Sequence, residues 1–408
     1  MEQPKRFKLT STTGKLLLVF LFPALAHASF IESTIGTAVV NDAAAANYNP
    51  AALVLLKNAQ IIPLGTLAYY RSRFSGSSTR VSTGVTDSGS SSSYSHYSSA
   101  SFYAGTPITD KLAIGLAILS NDANRNAENN AVLRYVQASN TIQDYDVIPA
   151  VGYKINDKFS LGAGINFSYA KFDLRPITGF PGTNIADSES NNRADGSGIG
   201  VDAGFLLRPG DKTLIGFNYR SMTTYRLSGK SVYEGTSSLT SNNYHYKLWT
   251  PARSTFSINQ FVTAKLGFIT TIQRIQWSSL SNVHVYNIAT LFGTTPVIAN
   301  GIIPYRLHDT WALTLGTHYR LTPRWILRVA GTYNQSPGNP HYQVVNGDAI
   351  IAGASTSYDI NKTFTIDGSY AHGFIKNQNI ETSGSRFIIN GVNEGSRDAV
   401  SLKLTVNI

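Results

Sequence analysis

The chain has 408 residues, no cysteine, 14% charged residues and a formal net charge of +10. Beyond residue 28 no stretch of about 18 uninterrupted apolar residues occurs, which excludes membrane-spanning helices. No basic cluster with interleaved aromatics is present, so nucleic acid is excluded as a partner, and the absence of cysteine is compatible with an exported protein that uses no disulfides.

Met1 to Ala28 carries a basic start (Lys5, Arg6, Lys8, Lys15), an apolar run from Leu16 to Leu25 and the small-residue box Ala26-His27-Ala28. This pattern predicts a secretory signal peptide over 1–28. Its removal leaves a net charge of about +7, which fits solvated loop lysines or a basic lumen that attracts an anionic substrate.

Residues 29–59 differ in character from the rest of the chain. Asp42 is placed to cap the alanine run after it, and Asn49-Pro50 breaks that run, because the residue before proline avoids helical geometry. Compact short helices with little side-chain bulk are expected here, forming a plug inside a barrel lumen.

From 60 to 408 the chain alternates long polar connections with very short ones. The short ones are Pro107 to Asp110, Asn156-Asp157, Pro209 to Lys212, Val262-Thr263, Thr322-Pro323 and Asn361-Lys362. Generous outer loops and tight periplasmic turns are the rhythm of an outer-membrane barrel. Strands are predicted near 60–71, 97–106, 111–119, 142–154, 158–172, 197–208, 212–228, 251–261, 264–277, 306–320, 324–335, 348–360, 363–375 and 397–408. The expected fold is therefore all-β: a 14-stranded antiparallel transmembrane barrel with a small N-terminal helical plug. Several strands exceed the roughly ten residues that cross a bilayer, so the barrel is expected to project beyond the outer leaflet. The 22 Tyr, 19 Phe and 4 Trp suit lipid-facing strands that end in aromatic girdles.

A period of two is clearest at the C-terminus, where Val400, Leu402, Leu404, Val406 and Ile408 oppose Ser401, Lys403, Thr405 and Asn407. Lys154, Asp202, Arg220, Arg320 and Arg328 fall on the polar phase of their strands. A lipid-facing Arg or Lys at the midplane costs about 2–4 kcal/mol, so these side chains are expected to point inward. Gly162, Gly164, Gly200, Gly204 and Gly216 share that inward phase, which leaves space for the plug to fill.

These features resemble the FadL-type family of long-chain fatty acid transporters and monoaromatic hydrocarbon channels. NDAAAANYNPAAL (41–53) resembles the family's plug signature, and YKINDKFSLGAGINFSYAK (153–171) and ADGSGIGVDAGFLLRPGDKTLIGFNYRS (194–221) resemble two of its hairpins. TPARSTFSINQ (250–260), IQWSSL (275–280), the segment 308–337 and YAHGF (370–374) extend the likeness over nearly the whole chain in order. The leading segment is shorter than usual in the family, and Ile408 stands where such barrels usually end in an aromatic residue.

The resemblance implies capture of an amphiphile on the outer face, passage to an internal pocket, plug rearrangement and lateral exit through a gap at a kink in the third strand. It implies head-group partners at Lys171 and Arg175, with His308 and Arg306 as further candidates; each is equally readable as a rim or strand-end polar residue. Phe30 and Ile31 are the N-terminal residues left to reach the ligand pocket, Phe30 being the binding candidate, and Asn49, Pro50 and Ala51 are the gating turn or a purely structural one. Leu291, Phe292, Val297 and Ile298, in the apolar loop 287–303, are expected to form an entrance groove or to pack over the mouth. The serine-rich stretch 88–101 reads as a flexible outer loop.

The expected function is outer-membrane uptake of long-chain fatty acids or similar hydrophobic molecules by lateral diffusion, by a monomer. The partners are the hydrophobic ligand and outer-membrane lipid, with no cofactor and no metal. Uptake of monoaromatic hydrocarbons, or a structural or adhesin barrel, is the alternative. No GxSxG elbow or HExxH motif points to an enzyme.

Overall fold

The computed structural model describes residues 30–128, 131–179, 185–235, 237–280, 282–384 and 386–408. The expected signal peptide lies outside the described residues.

Six strands lead from the N-terminal side: β1 (Gln60–Arg80), β2 (Thr86–Pro107), β3 (Leu112–Ala127), β4 (Ala138–Asn156), β5 (Phe159–Thr178) and β6 (Ser188–Gly210). Then come β7 (Thr213–Arg220), β8 (Thr223–Glu234), β9 (Ser238–Thr250), β10 (Arg253–Phe261), β11 (Leu266–Ile275), β12 (Asn282–Phe292), β13 (Thr295–Pro304) and β14 (Thr310–Thr322). The last four are β15 (Trp325–Asn334), β16 (Ala349–Asp359), β17 (Phe364–Glu381) and β18 (Phe387–Asn407). All pairings are antiparallel, and β1 pairs with both β2 and β18, so the sheet closes. Closure removes every edge, which backbone groups in hydrocarbon require.

The ladder around the lipid-facing wall runs β1 to β7, then β10, β11 and β14 to β18, a barrel of 14 strands. The other four segments are outward continuations. Arg253 pairs with Arg220, and Thr223 with Thr250, in a single register, so β7–β8 and β9–β10 are two long strands broken at 221–222 and 251–252. In the same way β11 gives way to β12 through a 3-10 turn at Trp277–Ser279, and β13 to β14 through 305–309. The expected strand 212–228 is thus split, 306–320 begins only at Thr310, and the expected loop 287–303 is the β12–β13 hairpin. The serine-rich stretch is also corrected. It belongs to β2, where Ser91, Ser93 and Ser95 are buried, small inward side chains in a ladder with β1.

On the lipid side, Trp311, Leu313, Leu315 and Tyr319 of β14 are exposed, as are Leu327, Val329 and Tyr333 of β15 and Val400 and Leu402 of β18. Trp311 and Tyr319 mark the two ends of an apolar band about 26 Å long measured along the strand. The tight turns fall where expected, between β2 and β3, β4 and β5, β6 and β7, β10 and β11, β14 and β15, and β16 and β17.

Inside, residues 30–56 form α1 (Phe30–Ile35), α2 (Ala45–Tyr48) and 3-10 turns at Thr37–Val39 and Pro50–Leu55. The Asp42 carboxylate accepts from the Ala44 N–H at 3.0 Å and so stabilises the turn into α2. Ile31, Val39, Ala43 to Ala46, Ala51, Ala52 and Leu53 are buried in one cluster with wall residues Ile62, Tyr103, Ala117, Ile148 and Leu206. Wall glycines make the room. A Cβ on Gly162 would lie 2.1 Å from the Ala51 nitrogen, on Gly216 1.9 Å from the Ala38 oxygen, and on Gly204 2.3 Å from Asn49 Oδ1. Gly164 and Gly200 do not serve this purpose, since their neighbours are wall residues.

Candidate functional site

Above the plug the lumen holds a cavity of about 70 Å³, at the level where β7–β8, β9–β10 and β11–β12 are broken. Strand direction sets its polarity. Going outward from the plug, β4 presents Asp146, Asp144 and then Ile142, β5 presents Asn166, Ala170 and Phe172, and the β7–β8 strand presents Arg220, Thr223 and Tyr225. Arg253 lies toward the plug on β10, while Leu248, Trp249 and Trp277 stand above it. A polar floor therefore meets an aromatic and aliphatic shaft, which continues outward into a buried cluster with Leu174, Leu227, Tyr244, Tyr246 and Val285.

The floor is organised by hydrogen bonds. Arg220 Nε donates to Asp202 Oδ1 at 2.8 Å, and its Nη2 donates to Asn47 O at 2.7 Å and Asn47 Oδ1 at 2.8 Å, which ties the wall to the plug. Ser168 Oγ donates to Asp146 Oδ1 at 2.5 Å, and Asn121 Nδ2 to Asp144 Oδ2 at 3.0 Å. Arg253 is half-buried and forms no ion pair among the described residues. Of the two arginines that line the cavity, Arg220 is paired and Arg253 is not.

The sequence placed Asp202, Arg220 and Arg328 inward, and they are inward; Lys154 and Arg320 keep that phase at the periplasmic rim, near Asp157 and Pro323 O. The head-group candidates fare differently. Lys171 is exposed on the outward face of β5, its Nζ 5.8 Å from the Tyr169 ring centroid. Arg175 shares that phase and lies 3.9 Å from Asp173. Inward positions there belong to Ala170, Phe172 and Leu174. His308 is exposed in the 305–309 break, with its N–H donating to Pro337 O at 3.1 Å. Arg306 is exposed too, with a left-handed φ of 46° and its guanidinium 3.9 Å from the Tyr342 ring centroid. None of the four lines the cavity.

Phe30 is corrected likewise: it packs on the wall with Ala330 and Ala371, in a gap that Gly353 provides, away from the cavity. Asn49 stitches the plug turn to the barrel. Its Nδ2 donates to Ala38 O at 2.7 Å and to Phe205 O on β6 at 3.1 Å, while its Oδ1 accepts from Ala51 N–H at 3.2 Å. Pro50 and Ala51 lie against Gly152 and Gly162. Of the apolar residues at 287–303, Leu291 is buried with Tyr233 and Ala289, Val297 is half-buried, and Phe292 and Ile298 are exposed.

The third strand is intact. Its ladders with β2 and β4 run without a register shift, so the expected kink is not there. The interruption is at β6, which pairs with β7 from Asp202 and with β8 up to Asp195, one residue out of register. Between them, Ser221 N–H donates to Val201 O at 2.8 Å and Val201 N–H to Ser221 Oγ at 2.9 Å. Outward at this break stand the exposed Ile199, Val201 and Met222; inward stand Thr223 and Tyr225 of the cavity.

Arg253 and Trp277 were present in the sequence, within TPARSTF and IQWSS. Inward phase on a strand is the signal that marks Arg253. Asp144 and Asp146 carry the same signal on β4.

A closed lipid-embedded barrel, stoppered from within and holding an apolar shaft with a polar floor, defines a channel protein of the outer membrane. The chain belongs to the outer membrane protein transport protein family (OMPP1/FadL/TodX), whose sequence model matches residues 33–407. It is a transport protein and not an enzyme. Its fold is similar to that of a Pseudomonas aeruginosa FadL homologue, at 18% identity, a TM-score of 0.78, and coverage of 91% of this chain and 95% of that one. The monoaromatic hydrocarbon channel CymD superposes with a TM-score of 0.68 at 17% identity, over 92% of this chain and 97% of that one. The toluene transporter TodX of P. putida gives 0.70 at 16% identity, over 90% and 95%. No curated protein matches the chain by sequence.

Proposed function

We propose that the protein, exported by its 1–28 leader, is a monomeric channel that takes up long-chain fatty acids and releases them sideways into the membrane. The observation that carries this is Arg253, a guanidinium without an ion pair at the floor of an aromatic shaft. A cation there donates to the head-group oxygens, which otherwise lose their water partners on entry. The chain runs outward along Phe172, Leu248, Trp249 and Trp277, where burial at about 0.8 kcal/mol per methylene yields of order 10 kcal/mol. Lateral release is assigned to the β6 break, because backbone groups there are not all tied into a ladder and the outward face, with Ile199, Val201 and Met222, is apolar.

A second reading, uptake of monoaromatic hydrocarbons, is favoured by the small volume and the aromatic lining, which suit a toluene-sized molecule. Binding of palmitate compared with toluene to the purified barrel separates the two. Palmitate bound with Arg253-dependent affinity supports the first; toluene bound and palmitate refused supports the second. Uptake of labelled oleate by cells lacking their own transporter tests transport itself.

A further inference from the structure

The floor of the cavity holds more acceptors than donors. Asp144 and Asp146 sit two residues apart on the inward face of β4, and both line it. Arg220 is engaged by Asp202 and by Asn47 of the plug, so its charge and its donors are used. Setting Asp202 against Arg220 and one β4 carboxylate against Arg253 leaves one carboxylate uncompensated. A second observation is independent of charge. Asn166, 4% exposed, lines the cavity, and its Oδ1 accepts no hydrogen bond; Asp202 Oδ2 is likewise buried without a donor. Buried acceptors without donors call for a donor.

We propose that this site recognises its ligand's head as a hydrogen-bond donor: a fatty alcohol or a protonated fatty acid, and not a carboxylate anion. Resting on the fatty-ligand reading above, this deepens it. The head O–H donates its one proton to Asn166 Oδ1, beside the Asp146 carboxylate, and Arg253 donates to the head oxygen. An ionised carboxylate keeps the Arg253 bond but faces two carboxylates and offers no proton, so it is repelled. The groups that surround Asp146 are Asp144 on its own strand, Asp202 and Arg220 on β6 and β7, and Arg253 on β10. Tyr97 and Tyr225 face it from β2 and β8, and Tyr48 of the plug faces Arg253. Those tyrosine hydroxyls do not offset a carboxylate charge at pH 5–8, since phenols ionise near pH 10.

The test is titration of the full chain in lipid nanodiscs with decanol and decanoate at pH 8 and pH 5, for the native protein and Asp146→Asn. Decanol is expected to bind about tenfold more tightly than decanoate at pH 8, which corresponds to one carboxylate repulsion. Decanoate should gain affinity at pH 5, where its own exposed carboxylate begins to take up a proton, and the decanol-to-decanoate ratio should shrink. Asp146→Asn retains an acceptor for Ser168, so the barrel should fold, as gel heat-modifiability verifies. That variant should narrow the gap by tightening decanoate at pH 8. Equal affinities for decanol and decanoate at pH 8, or an unchanged ratio in folded Asp146→Asn, would overturn the donor rule and leave the fatty-ligand reading standing. Toluene bound with neither decanol nor decanoate would overturn both.

Discussion

Lys403 on the last strand lies 2.9 Å from Asp42 in the plug, Nζ to Oδ2, so the final ladder of the barrel holds the leading segment in place. Lys403 also lies 3.6 Å from Glu32 and 3.8 Å from Asp367, and Asp367 lies 3.6 Å from Arg328. Each of these side chains is almost wholly buried, apart from the partly accessible Asp42 and Arg328.

Lys403→Ala should unseat the plug. Removing the cation leaves Glu32, Asp42 and Asp367 facing one another, and breaking a buried pair costs about 3–5 kcal/mol. Ion conductance across planar bilayers should rise well above that of the native protein, and a native-like conductance would show that the cluster is dispensable.

Gly162→Ala is expected to do the same by sterics, because its Cβ meets Ala51 N at 2.1 Å and backbone cannot yield there. Gly331→Ala is the control. Nothing lies within 4 Å of its Cβ, and its effect on stability should stay within about 0.5 kcal/mol. Conductance and gel heat-modifiability report both.

Arg253→Met should weaken palmitate binding by about 10- to 100-fold, the range for losing a hydrogen bond from a charged group, and should leave toluene binding near native. His308→Lys and Lys171→Met should change neither, since both residues lie outside the cavity. Calorimetric titration at pH 8 measures all three variants, and a rise in palmitate affinity for His308→Lys would restore His308 to the site.

A disulfide between Val201→Cys and Ser221→Cys would lock the β6 break at the point where the two residues already share hydrogen bonds. The native chain has no cysteine to interfere. Oleate uptake should fall under oxidising conditions and recover with reductant; full uptake in the oxidised form would move the exit elsewhere.

Asp309 accepts from Ser278 Oγ at 2.6 Å, from Ser278 N–H at 3.0 Å and from Arg274 at 2.8 Å. The bond from the Ser278 hydroxyl, aided by the backbone N–H and Arg274, holds its carboxyl below the usual carboxylate range. A depressed folded pKa contributes stability that is complete above the unfolded value and is lost as pH falls through the folded one. Proteolysis within 276–280 should therefore accelerate only below about pH 4 in the native chain, and at neutral pH in Asp309→Ala.

Much of the barrel was legible in the sequence. Alternation in segments such as 400–408 and the six tight turns gave strand number and facing, because a period of two admits one buried phase. The inward charges Asp202, Arg220 and Arg328 followed from the cost of placing them in lipid. The head-group candidates followed from resemblance, without the phase of their own strands: Lys171 and Arg175 alternate with Phe172 and Leu174, and it is the latter that face inward.

What the sequence determined by itself is a lipid-facing cylinder with a compact alanine-rich segment ahead of it, since alternation and small side chains act locally along the chain. Where four strands break, which of the cavity-lining cations has no ion pair, and how Lys403 reaches Asp42 were decided only by closure of the sheet. Those relations join residues hundreds of positions apart, and no local pattern encodes a distance across a lumen.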